Sequence, residues 1–249
     1  MKNFKNLIAY YLRFFAQDLK NPKKIPIFIN NFNRLTTLVK LINALETRGY
    51  TNIIILDNKS TYPPLLEYYK STKHKVHRYR KNYGYKSFWK SGLWLKYTFN
   101  YFVYTDPDVV PIEQCPENFI SYFYHLLKKY PKVHKVGFSL KIDDLPDHYT
   151  NKNSVIKWEK TFYDNVLEPN VYQAPIDTTF ALYRPFSKSG KRDGSTPMIR
   201  TGYPHQCAHL PWYINDNNLD EEEMYYVNNL KTETYWSKKI FDLKKSFSR

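Results

Sequence analysis

The chain has 249 residues, 42% of them hydrophobic and 18% aromatic, enough apolar mass for one large domain and too much for a disordered chain. Its 38 Lys and Arg against 23 Asp and Glu leave a net charge of +15, which calls for an anionic partner: nucleic acid, an anionic membrane surface or a phosphorylated substrate. Two cysteines, Cys115 and Cys207, make neither a disulfide framework nor a metal-binding Cys pair, and no run approaches the roughly 20 apolar residues of a spanning helix.

Residues 1–24 read as an amphipathic basic helix, with Phe4, Leu7, Ile8, Tyr11, Phe14, Phe15 and Leu19 at helical spacing. Such a helix packs on the domain or lies on a membrane surface, and the residues fit both. Ile25 to Ile29 is a first strand, leaving through Asn30–Arg34. Leu35 to Arg48 has the helical period and Gly49 stops it; Asn52 to Leu56 is a second strand, ending at Asp57. Strand, helix and strand with short joints predict a parallel βαβ unit. A short helix over 65–70 and a strand over 75–79 follow. A loop over 80–92 then runs into a helix, and a strand over 101–105 comes after it. Beyond these, residues 116–130 are a helix, 136–142 a strand, 155–167 a helix and 178–183 a strand. The segment 187–197 is a mobile loop, and prolines 204 and 211 make a loop of 203–212. The alternation predicts an α/β fold with a mostly parallel, doubly wound sheet and helices on both faces.

The stretch Tyr101 to Pro111 ends an apolar strand in Asp106-Pro107-Asp108. Pro107 disfavours helix at Asp106, so the segment reads as extended, with both carboxylates aimed at one spot. Converging carboxylates suit a hard cation such as Mg²⁺ or Mn²⁺, which commonly carries substrate phosphates. A plain acidic turn closing the strand has the same residues. Asp57, Asp106, Asp108 and the 30–34 exit all fall at carboxyl ends of predicted parallel strands, where open α/β sheets bind ligands.

In order and spacing, Ile27 to Arg34, Leu56 to Ser60, Asn82-Tyr83-Gly84 with Gly92, and Tyr104 to Asp108 resemble the family 2 glycosyltransferases of GT-A fold. The resemblance covers residues 25–112 and loosens beyond, where the family's Gly-Glu-Asp stretch has no counterpart. It implies a single GT-A domain over 25–230, with a nucleotide-sugar half (25–112) and an acceptor half (113–230), followed by a tail over 231–249. It implies that Asn31, Asn33, Arg34 and Asp57 hold the nucleotide, that Asn82 and Gly84 line the same pocket, and that Asp106 and Asp108 carry the metal on the diphosphate. His209 would suit a further metal ligand; a structural histidine fits equally.

Sugar transfer from a nucleotide donor needs a cation on the departing diphosphate and a carboxylate to take the acceptor's proton. Asp177 is the expected base, with Asp144 and Glu159 as alternates and a strand cap as its other reading. Lys188, Lys191 and Arg192 are candidate cations on the loop. The expected partners are a nucleotide-sugar donor, a glycan or lipid-linked acceptor and an anionic membrane surface met by the two basic, aromatic chain ends, but no nucleic acid. The expected location is cytoplasmic, peripheral at the inner face of the membrane. Two other readings remain: a nucleotidyltransferase sharing sheet and metal site, and a non-catalytic basic nucleic-acid-binding module, which would gain nothing from the acidic cluster.

Overall fold

The computed structural model describes residues 19–176, 180–187, 196–215 and 218–230. Asp177, the loop cations Lys188, Lys191 and Arg192, residues 1–18 and the tail over 231–249 lie outside the described residues.

Ten strands form one sheet: β1 (Ile27–Asn31), β2 (Ile53–Asp57), β3 (Lys75–Arg78), β4 (Phe102–Thr105), β5 (Val109–Pro111), β6 (Lys135–Leu140), β7 (Val166–Glu168), β8 (Val171–Gln173), β9 (Ala181–Tyr183) and β10 (Met198–His209). The order is β3-β2-β1-β4-β9-β6-β10-β8-β7, with β5 on β10. The first four are mutually parallel, as the βαβ reading requires. β9 runs antiparallel between β4 and β6, and β10 is parallel to β6. The added β5, β7 and β8 pair antiparallel, so the sheet is mixed around a parallel core. Because one sheet carries strands from both sides of residue 112, the two expected halves share one core.

Strand alternation sends side chains to two layers. Ile27, Ile29, Ile53, Ile55 and Val103 face α1 (Thr36–Thr47), α2 (Pro63–Ser71) and α4 (Phe119–Lys129). Phe28, Ile54, Leu56, Phe102 and Tyr104 face α3 (Ser87–Lys90) and the aromatic segment to Tyr97. Leu38, Leu41, Ile42 and Leu45 bury one stripe of α1, each contributing about 1.5–3 kcal/mol. Gly49, at φ +78, closes that helix in the left-handed conformation glycine adopts freely.

Three expectations are corrected and one helix is added. Pro22 biases Asn21 away from helix, and Pro22–Lys24 is a 3-10 turn, so the described part of the expected 1–24 helix is not α-helical. The helix expected over 155–167 is α5 (Lys152–Lys160), which gives way to a 3-10 turn and then β7. The region 203–212 is strand up to His209: the register with β6 jumps between Thr201 and Gln206, and Pro204 sits in this bulge, where no ladder N–H is needed. A helix that the sequence reading did not include, α6 (Glu221–Asn229), is capped by Asp220, whose Oδ1 accepts from the Glu223 N–H at 2.8 Å.

Candidate nucleotide and metal site at the carboxyl edge

The parallel strands β2, β1 and β4 end side by side, with Asn31 opposite Asp57 and Ile29 opposite Thr105. Alternation divides the polar residues there between the two layers. On the α3 side, Asn30 donates from Nδ2 to Asp106 Oδ1 at 3.4 Å. Its Oδ1 accepts from Asn58 Nδ2 at 2.6 Å and from Ser87 Oγ at 2.6 Å. Asn58 also donates to the Gly84 carbonyl at 3.3 Å and accepts from the Tyr83 N–H at 3.1 Å. The Tyr104 hydroxyl, fully buried, donates to the Tyr85 carbonyl at 2.7 Å. One polar network thus ties three strand ends to the 83–87 loop.

On the α1–α2 side the expected nucleotide ligands are part of the scaffold. Asn31 donates to the Arg34 carbonyl and to the Tyr69 hydroxyl, both at 2.9 Å. Asn33, at φ +51, accepts from the Thr61 and Tyr62 N–H groups at 2.7 and 3.0 Å and so clamps the start of α2. Asp57 has no exposed surface; its carboxylate accepts from the Ser60 N–H, the Tyr69 hydroxyl and Arg78 Nε at 3.2–3.3 Å. Asn82 is exposed and caps the Gly84 N–H at 2.7 Å. Gly84 is at φ +72 with open space where a Cβ would stand, so its conformation, not crowding, favours glycine.

Asp106-Pro107-Asp108 is a turn, not an extended segment. The fixed φ of Pro107 suits a turn, and β5 must reverse to run antiparallel to β10. That reversal brings Asp108 to His209 at the end of β10: the Leu210 N–H donates to the Asp108 carbonyl at 2.9 Å, and Asp108 Oδ1 lies 4.0 Å from His209 Nε2. Burial, opposed by Asp108 and assisted by Arg34, lowers the His209 pKa and favours the neutral imidazole that ligates metals. This pair suits Mg²⁺ or Mn²⁺ in donor chemistry; neighbouring ligands at about 2.1 Å from one octahedral ion stand about 3 Å apart, so the two would close by about 1 Å to hold it. Asp106 is not drawn in with them: among the described residues no three His, Cys, Asp or Glu groups close around an ion.

Arg34 is buried beside Asp108, with Nε 3.9 Å from Oδ2. Its guanidinium is ion-paired with Glu223 and lies over the Tyr226 ring at 3.9 Å. Burial opposes its charge, but Glu223, Tyr226 and Asp108 outweigh it and raise the Arg34 pKa above its ordinary value. Arg34 Nε itself has no hydrogen-bond acceptor among the described residues. Glu222 caps α1 from outside, accepting from the Leu35 and Thr36 N–H groups at 2.9 and 3.0 Å. Glu222, Glu223, Asn58 and Ser87 are not among the site residues expected from the sequence, and Asn30 is expected there only as part of the 30–34 exit. Asp220 followed by three glutamates is a helix-start signal that marks the first two, and Asn30 and Asn58 lie one parity step from residues that were chosen.

Of the alternate bases, Glu159 is buried in an ion pair with Arg200 at 2.6 Å, which removes it from acceptor chemistry. Asp144 accepts from the Tyr213 hydroxyl at 2.7 Å and meets Lys141 at 2.9 Å; although burial opposes them, these partners lower its pKa. His205 stacks on Tyr122 at 4.2 Å. Among the described residues no helix is long and apolar enough to cross a membrane.

No protein-family model matches the sequence, and no curated protein matches it. Among solved structures the chain is similar to glucosyl-3-phosphoglycerate synthase from Mycobacterium tuberculosis in complex with Mn²⁺ and uridine-diphosphate-glucose (14% identity, 65% of this chain and 56% of that chain, TM-score 0.38). It is also similar to GalNAc-T7 with UDP, GalNAc and Mn²⁺ (14%, 82% and 48%, 0.45). A third is a cytidylyltransferase from Leptospira borgpetersenii serovar Hardjo-bovis (9%, 90% and 95%, 0.43). The chain spans about half the length of the first two. Likenesses this distant bear on neither substrate nor chemistry.

Proposed function

We propose that the chain transfers a sugar from a nucleotide-diphosphate sugar to a hydroxyl of a glycan or lipid-linked glycan, with inversion at the anomeric carbon. The observation that carries this reading is the alignment of Asn30, Asn58 and Asp106 on one face of three neighbouring parallel strand ends, with Asp108 and His209 beside them. Ligands of open α/β sheets bind at that edge. Asp108 and His209 would hold Mn²⁺ or Mg²⁺, with Asp106 two residues before Asp108 in the same turn. When bound, the cation would neutralise charge on the departing diphosphate.

The chain's own groups do the rest. Asn30 and Asn58 order the 83–87 loop against the strand ends and so shape the wall on which a nucleoside would lie. Arg34 stands behind Asp108 and limits the negative charge of the turn. Asp177 is the proposed proton acceptor for the attacking hydroxyl, and the two basic chain ends are the proposed membrane contacts.

Incubation with a panel of radiolabelled nucleotide sugars and a glycan acceptor tests the reading. Label transferred to the acceptor with release of a nucleoside diphosphate supports it. Release of pyrophosphate from a nucleoside triphosphate and a sugar phosphate would instead mark nucleotidyl transfer.

A further inference from the structure

Parallel strands that gather their carboxyl ends at one edge gather their amino ends at the opposite edge. There the starts of β1 to β4 border a groove of about 720 Å³, within the range of ligand-binding clefts. Four neighbouring strands at about 4.8 Å spacing give it a width of about 14 Å, room for several units of a chain and not merely one ion. Its lining includes Lys20, Lys24, Lys73 and Lys75 and no acidic residue. Lys73 meets Glu46 at 2.7 Å. Lys20, Lys24 and Lys75 are exposed, and no ion pair engages them among the described residues. Like charges gathered in one concave surface repel, and an anion relieves that repulsion.

The lining is more than cationic. Asn100 presents an exposed amide and Asn52 its amide oxygen, since Asn52 Nδ2 donates to the Lys24 carbonyl at 2.8 Å; Tyr97 supplies a ring wall, held edge-on against Phe28 at 4.7 Å between ring centroids. Amides suit hydroxyl groups, and an aromatic face suits the apolar face of a sugar ring. We propose that this groove binds an anionic glycan chain: carboxylates or phosphate esters on the lysines, hydroxyls on the amides, and a sugar ring against Tyr97. The site is separate from the carboxyl edge, and its existence does not rest on the transfer reading, although a glycan acceptor would make use of both.

The test is fluorescence anisotropy on the full chain at low salt, without donor. The probes are labelled oligogalacturonate and dextran carrying phosphate esters, with neutral dextran as control. Both acidic glycans, or one of them, should bind more tightly than neutral dextran, and the tighter one identifies the anion. Lys24→Gln/Lys75→Gln should weaken binding roughly tenfold, while Lys157→Gln/Lys160→Gln, an equal loss of charge on α5, should change it by less than about twofold. Failure of both acidic glycans to bind more tightly than neutral dextran, or equal loss in both double variants, would overturn the proposal. So would tighter binding of single-stranded DNA of equal charge. Because no donor is present, these outcomes are independent of whether the carboxyl edge transfers sugar.

Discussion

The carboxyl edge of the sheet is built twice, once on each face. On the α1–α2 face, Asn31, Asn33 and Asp57 bond neighbouring backbone and side chains that hold the loops in place. On the α3 face, Asn30, Asn58 and Asp106 form a chain of amides and carboxylate that leads to the acidic turn. The residues are adjacent in sequence and alike in type, yet one parity step decides which set bonds the loops around α2 and which bonds the 83–87 loop and the acidic turn. Polar residues at a strand end therefore call for a face assignment before a role.

The comparison breaks most clearly at Asp57. Asp57→Ala strips a buried acceptor from the Ser60 N–H, Tyr69 and Arg78 and should cost about 2–4 kcal/mol in urea denaturation, with nucleotide affinity of the folded protein unchanged. Intact stability with lost nucleotide binding would move Asp57 to the other layer.

A matched pair sharpens it. Asn30→Ala should weaken nucleotide-sugar binding roughly tenfold in calorimetry, because the 83–87 loop loses its anchor. Asn31→Ala should leave binding within about twofold and cost about 1–2 kcal/mol of stability through the lost bonds to Tyr69 and the Arg34 carbonyl. Equal binding losses in the two variants would erase the distinction between faces.

Arg34 connects the layers, since its carbonyl bonds Asn31 and its guanidinium approaches Asp108. Glu223→Gln removes its charged partner and should draw the guanidinium onto Asp108. Mn²⁺ affinity should then fall several-fold, on the order of the tenfold seen when groups that orient metal ligands are lost. Unchanged Mn²⁺ affinity would separate Glu223 from the site.

The smallest effect belongs to Asp144, half exposed and outside both layers. Its folded pKa lies below the unfolded one, so its stabilisation is present above the ordinary carboxylate range and disappears as pH falls through the folded value. Asp144→Asn should cost only a few tenths of a kcal/mol at neutral pH after solvent screening, and nothing in strong acid. A difference that persists in acid would point to packing instead of charge.

The parallel core was legible because its signals are local. β1, α1 and β2 announce themselves by apolar runs, a helical period and a glycine stop, and the acidic turn by its position after β4. The later strands were less so. β10 continues through Pro204 because a bulge excuses the missing N–H, a fact of pairing that no window of sequence contains. The extended reading of Asp106–Asp108 failed because Pro107 serves a turn as readily as a strand, and only the return of β5 along β10 selects between them. Arg34 reads as a ligand in the sequence because its partner Glu223 lies 189 positions away in the chain.

The central claim is that the carboxyl edge binds a nucleotide sugar together with a divalent cation. Its most direct test is calorimetric titration of nucleoside-diphosphate sugars into the wild type and Asp108→Asn, each with Mn²⁺ and with a chelator. The account predicts binding that requires Mn²⁺ and is lost in Asp108→Asn, with the thermal melt of the variant unchanged. Equal binding in chelator, or undiminished binding by Asp108→Asn, would contradict it.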